Sequence, residues 1–94
     1  MRILMVDDDP DVLRALGMLL ERDHEVVSCS CGTKAIAELK ERRVDLVLTD
    51  LSMPPPDGFD VMRAVQALPV PPPVAVVTAL DSARAAIEAL RLGA

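Results

Sequence analysis

Three short stretches of this chain carry side chains that could do chemistry. Asp7-Asp8-Asp9 follow the apolar run Ile3 to Val6, Thr49-Asp50 follow the run Val44 to Leu48, and Thr78 follows Val74 to Val77. Carboxylates brought to one place repel one another, which is costly unless a cation neutralises them. Oxygen donors, few in number and with room left for water, suit Mg²⁺ better than zinc. Some of the acids have an ordinary structural account. Asp9 precedes Pro10 and reads as a helix cap, Asp11 as a first-turn acid favoured by the helix dipole, and Asp57 as another cap. Thr49 and Thr78 also suit strands in their own right. Asp7, Asp8 and Asp50 have no such task.

The segments between these stretches say whether the acids can meet. The runs Ile3 to Val6, Val44 to Leu48 and Val74 to Val77 are short, apolar on both faces and rich in β-branched residues, as strands buried between helices are. Glu25-Val26-Val27 is more polar and reads as an edge strand. Helical spacing fills the gaps: Val12, Leu13, Leu16, Leu19 and Leu20; then Ala35, Ile36 and Leu39; then Val61, Met62, Val65 and Leu68; then Ala83, Ala86, Ile87 and Leu90. Gly17 interrupts the first helix at a cost of about 1 kcal/mol relative to alanine. Pro10 at a first helical position, caps at Asp57 and at Asp81 or Ser82, and Gly93 as a terminal cap agree with these boundaries. Pro54 to Pro56 and Pro69 to Pro73 fall in connections.

Strand and helix alternating four times with short links predict a parallel sheet covered on both faces, an α/β doubly wound sandwich. Ligands in such folds bind beyond the carboxyl ends of the strands. Asp7, Asp8, Asp50 and Thr78 all lie at such ends. Setting aside Asp7, Asp8, Asp9, Asp11, Asp50 and Asp57 leaves nine acidic residues against ten basic ones, so the acidic excess lies around this edge.

Composition removes several function classes. The 94 residues are 51% apolar and 27% charged, which is too apolar for a disordered chain. Phe59 is the only aromatic residue and the net charge is −5, so there is neither a stacking platform nor a basic footprint for nucleic acid. No apolar run approaches membrane-spanning length. Cys29 and Cys31, one residue apart in a strand-like segment, point to opposite faces and read as reduced thiols of a cytoplasmic protein. His24 reads as a solvated turn residue.

Four stretches, ILMVDDDP from Ile3, DLVLTDLSMPPPDG from Asp45, VAVVTA from Val74 and RLGA from Arg91, resemble the receiver domain of bacterial two-component response regulators. The resemblance implies a flavodoxin-like, CheY-like three-layer sandwich with strand order 2-1-3-4. It implies that Asp50 accepts a phosphoryl group from a sensor histidine kinase or phosphotransfer protein. Asp7, Asp8, Asp50 and the backbone carbonyl of Ser52 would hold Mg²⁺, and Thr78 would bond the phosphoryl group. Ser52 and Leu80 occupy the positions that tune hydrolysis in the family. The chain would act as a signalling phosphoacceptor, not as an enzyme with a separate substrate.

The chain departs from the family pattern after its fourth helix. Residues 1–94 read as one receiver domain without its fifth β–α unit, so the lysine and aromatic switch residue of a fifth strand have no counterpart. Lys34 and Lys40, near the second helix, cannot stand in for that lysine. A fourth strand left at the edge invites pairing with another chain, and self-association through it or through an exchanged element is expected. A receiver-like interaction module, or a truncated fragment of a longer receiver, that no longer switches on phosphorylation is the alternative, and of a self-associating form and a fragment the fragment is the reading preferred. A flavodoxin-like cofactor binder is disfavoured because the first loop lacks a glycine- or hydroxyl-rich phosphate turn.

Overall fold

The computed structural model describes residues 1–77. Its elements run β1 (Arg2–Val6), α1 (Pro10–Leu20), β2 (Glu25–Cys29), α2 (Gly32–Glu41), β3 (Leu46–Thr49), α3 (Gly58–Gln66) and β4 (Val74–Val76). All neighbouring strands are parallel, in the order β2-β1-β3-β4. The doubly wound α/β order expected from the alternation of elements is the one formed. The expected fourth helix, with its caps at Asp81 or Ser82 and Gly93, lies outside the described residues.

β1 takes an interior position, as does β3; its Ile3, Leu4, Met5 and Val6 are apolar on both faces, and all four are at most 2% exposed. β2, with exposed Glu25 and Ser28 and only Cys29 fully buried, takes an edge, as expected. The run beginning at Val44 enters the sheet later than its hydrophobicity suggests. Asp45 accepts a hydrogen bond from the Arg2 backbone N–H at 2.8 Å, so β3 starts at Leu46. The Arg2 guanidinium also donates to Glu25 and to the Arg43 carbonyl, at 3.1 Å each. Residues at the starts of β1, β2 and β3 are thereby tied together at the pole opposite Asp50.

Helix starts follow capping chemistry. The Asp9 side chain accepts from the Asp11 N–H at 2.9 Å, with Pro10 as the first helical residue. Asp57 and Asp60 exchange side-chain-to-backbone bonds of 2.9 and 3.0 Å, a reciprocal capping box at the start of α3. Two expectations differ. Leu19 is 66% exposed, because the inward side of α1 is carried by Val12, Leu13, Leu16 and buried Gly17. Cys31 is the N-cap of α2 and not part of a strand, whereas Cys29 ends β2 in the core; both are free thiols.

The main core lies between the sheet and the pair α2 and α3. Leu4, Val6 and Val47 meet Ala35, Leu39, Val61, Met62 and Val65 there. Among the described residues no helix is long and apolar enough to cross a membrane.

Candidate functional site

Parallel register puts the acids side by side. Val6 of β1 pairs with Thr49 of β3, so the next residues, Asp7 and Asp50, leave the sheet together. The Asp50 N–H donates to the Val6 carbonyl at 2.9 Å and the Asp7 N–H to the Cys29 carbonyl at 3.1 Å. These bonds carry the ladders one step past the strands and fix where both side chains start. Asp7, Asp8 and Asp50 each offer a carboxylate oxygen, and these oxygens lie within 4.8 Å of one another. Their positions at strand ends predict that these three meet, and the fold brings them together.

The three carboxylates differ in surroundings. Asp7 is buried at 7% exposure, Asp50 is half-buried and Asp8 is exposed. Burial pushes the Asp7 carboxyl above its usual range; the Asp9 N–H, donating to Asp7 Oδ1 at 2.9 Å, opposes this, and the charges of Asp50, Asp8 and Asp9 push it further up. A buried acid among other acids, with oxygen donors alone, is a donor set that fits a hard divalent cation such as Mg²⁺. Such an ion would relieve both the desolvation and the mutual repulsion.

The loop after β3 is fixed at several points. The Ser52 N–H donates to Asp50 Oδ1 at 3.2 Å, and Thr49 Oγ1 donates to the Asp50 carbonyl at 3.0 Å. Leu51 and Met53 are buried while Ser52 between them is exposed, on the site side. Gly58 allows α3 to start directly against this loop. A Cβ there would fall 2.7 Å from Leu51 Cα and 2.9 Å from the Asp50 carbonyl carbon, closer than real Cβ atoms come.

Of the expected site residues, Thr78 and Leu80 lie outside the described residues. Val77, just before Thr78, donates its N–H to the Thr49 carbonyl at 2.9 Å. Lys34 and Lys40 are exposed on α2, and neither makes an ion pair among the described residues. Sequence reasoning did not single out Gly32, where an added Cβ would overlap the Pro56 backbone. A glycine at a helix start carries no sequence signal of what it packs against.

The parallel β2-β1-β3-β4 sheet thus carries an acidic cluster at its carboxyl edge. The profile of the family described as "Response regulator receiver domain" matches residues 3–94. The chain belongs to that family, whose members are phosphoacceptor modules of two-component signal transduction. Transcriptional regulatory protein GlrR of Escherichia coli (strain K12) is 35% identical over 92 residues, covering 97% of this chain and 21% of its own length. Transcriptional regulatory protein PrrA of Mycobacterium tuberculosis is 37% identical over 95 residues, covering 99% of this chain and 40% of its own. A response regulator receiver domain protein from Clostridium thermocellum superposes with a TM-score of 0.90 at 30% identity, over 99% of this chain and 76% of that one. The chain spans about a fifth of the length of GlrR and two fifths of that of PrrA. Domains of this family generally bind Mg²⁺ at an acidic cluster and interact with histidine kinases or phosphotransfer partners.

Proposed function

We propose that Asp50 is the phosphoacceptor of this receiver, and that Asp7, Asp8, Asp50 and the Ser52 carbonyl hold the Mg²⁺ that phosphoryl transfer requires. The observation that carries this reading is the meeting of Asp7, Asp8 and Asp50 carboxylate oxygens within 4.8 Å at the carboxyl edge of the sheet. Bound there, Mg²⁺ would offset negative charge on the carboxylates and on the transferred oxygens. The chain itself mainly positions the reactants. One oxygen of Asp50 attacks phosphorus in line as the bond to the donor's nitrogen or oxygen breaks, leaving an acyl phosphate on Asp50. The Ser52 N–H, already on Asp50 Oδ1, restrains the carboxylate for that attack. Thr78 is the hydroxyl proposed to bond the phosphoryl group, and Ser52 and Leu80 are the positions proposed to govern its hydrolysis. The donor is a sensor histidine kinase or phosphotransfer protein, and the compartment is the cytoplasm.

The test uses Mg²⁺ with acetyl phosphate and intact-mass measurement. Wild type gains one phosphoryl group, and Asp50→Asn gains none. An adduct that persists in Asp50→Asn would overturn the assignment of the acceptor, and no adduct on wild type would overturn the phosphoacceptor reading.

A further inference from the structure

The Asp50–Gly58 loop is gripped from two sides, and only one grip is accounted for by the capping of α3. On the α3 side, Gly58 sits against Asp50 and Leu51. On the other side, the first residue of α2, Gly32, sits against Pro56. A Cβ at Gly32 would overlap the Pro56 carbonyl oxygen and fall 2.9 Å from its carbonyl carbon and 3.0 Å from its Cβ. The obstacle is mostly backbone, so no side-chain rotation can relieve it. Gly32 is itself buried.

We propose that Gly32 is a positioning residue for the metal-binding loop. By admitting the Pro56 backbone against the start of α2, it keeps the stretch carrying Ser52 folded beside Asp7, Asp8 and Asp50. The path from contact to site is short. Pro56 and Ser52 lie on one loop whose inward anchors are Leu51 and Met53, both buried, and whose far end is pinned by Asp57. A side chain at position 32 must drive Pro56 outward, and the exposed Pro54 and Pro55 offer few soft dihedrals to absorb the shift before it reaches Ser52. A helix start that merely needed a small residue would not depend on what stands opposite; here the opposite wall is the loop that bears Ser52. The inference rests on the proposed metal site, and its test is separable from phosphorylation.

The experiment measures Mg²⁺ affinity by calorimetry on the full chain, with amide chemical shifts of Asp50 and Ser52 recorded in the metal-free protein. Gly32→Ala is made in a Gly17→Ala background, because position 17 has room for a methyl group, with its nearest contact 3.8 Å away at Glu21 Oε1. That background offsets a loss of helix-packing stability without touching the site. Gly32→Ala is expected to weaken Mg²⁺ binding about tenfold, the scale seen when groups supporting metal ligands are altered, and to shift the Ser52 amide. Pro56→Gly, which keeps the carbonyl opposite Gly32 but frees the loop backbone at that point without crowding α2, is expected to weaken Mg²⁺ binding in the same direction, and it decides the matter if Gly32→Ala does not fold. Unchanged Mg²⁺ affinity in a folded Gly32→Ala, or in Pro56→Gly, overturns the role of Gly32. Absence of the acetyl phosphate adduct on wild type leaves this readout intact and strikes only at Asp50 as acceptor.

Discussion

The two faces of the sheet are built to different standards. On the face under α2 and α3, Leu4, Val6, Val47 and Thr49 are at most 2% exposed, and Val74 at the end of the sheet is 9% exposed. On the face under α1, Ile3 and Met5 of β1 are equally buried, yet Leu46 and Leu48 of β3 are only partly so. Ala75 is exposed and Val77 is 36% exposed. Burial on this second face falls away with distance from α1, whose own Val12, Leu13 and Leu16 are half-buried. Among the described residues, most of the fully buried apolar side chains therefore lie on the face under α2 and α3. The other holds, at the end of β1, buried Asp7, which lines a small cavity together with Val12, Leu13 and Leu48.

The largest effect should come from unequal costs of the same truncation on the two faces. Leu4→Ala removes a fully buried side chain from the α2 and α3 face and is expected to cost about 3 kcal/mol. A 94-residue domain has a total stability on the order of 5–10 kcal/mol, so this variant should lose about a third to a half or more of it while remaining folded in water at room temperature. Leu48→Ala removes a partly exposed side chain from the α1 face, and about 1 kcal/mol is expected because less area leaves the core. Urea unfolding followed by far-ultraviolet circular dichroism checks both, since the chain has no Trp or Tyr for fluorescence. Equal losses at Leu4 and Leu48 would contradict the difference between the faces.

Much of this asymmetry is hidden from the sequence, for a physical reason. Leu13, Leu16 and Leu19 share a hydrophobic character and a helical spacing, but exposure of Leu19 depends on which arc of α1 meets the sheet. The run from Val44 looks uniformly strand-like, and Asp45 within it is the only sign that the strand starts later; its partner, the Arg2 N–H, is 43 residues away in the chain. The acidic cluster is legible because its geometry needs only strand ends and a parallel register, both of which local patterns specify. The caps at Asp9 and Asp57 are legible for the same reason, being interactions within a few residues. Contacts between distant backbone segments, such as Gly32 against Pro56, leave no such trace.

A second effect has the opposite sign and sharpens the contrast at the end of β1. Asp7→Asn should stabilise the metal-free protein at neutral pH. Burial, reinforced by the neighbouring carboxylates, raises the Asp7 carboxyl above its usual value of 3.8 in the folded state. The folded protein therefore holds this proton more tightly than the unfolded chain does. Stability from Asp7 is fully present below that usual value and is lost as pH rises through the raised folded value. An asparagine side chain in its place would keep an oxygen for the Asp9 N–H and carry no charge to desolvate. The variant's advantage over wild type should be greatest near pH 7, shrink on acidification and vanish below the usual carboxylate value. Saturating Mg²⁺ should narrow it from the other side, by stabilising wild type alone. Thermal melts across pH, with and without Mg²⁺, give the comparison; an advantage independent of pH would mean that charge burial is not its source.

The smallest effect concerns α1, the helix that covers the weaker face. Gly17 is buried in the interior of this helix, and a methyl group built on it meets nothing nearer than Glu21 Oε1 at 3.8 Å, an ordinary contact. Glycine in a helix interior costs about 0.5–1 kcal/mol relative to alanine through the backbone freedom it gives up. The space at position 17 means that alanine recovers this without a steric penalty, and the added methyl also covers a little more of the α1 face. Gly17→Ala should therefore stabilise the protein by about 0.5–1 kcal/mol in urea, with the denaturant slope and Mg²⁺ affinity unchanged. The contrast with Gly32 makes the result informative. Both glycines are buried and helical, and only one stands against backbone that cannot move aside. If Gly17→Ala were destabilising instead, the space around position 17, where only Glu21 Oε1 comes within 4 Å, could not be open as described, and the second face would be packed more tightly than its exposure shows.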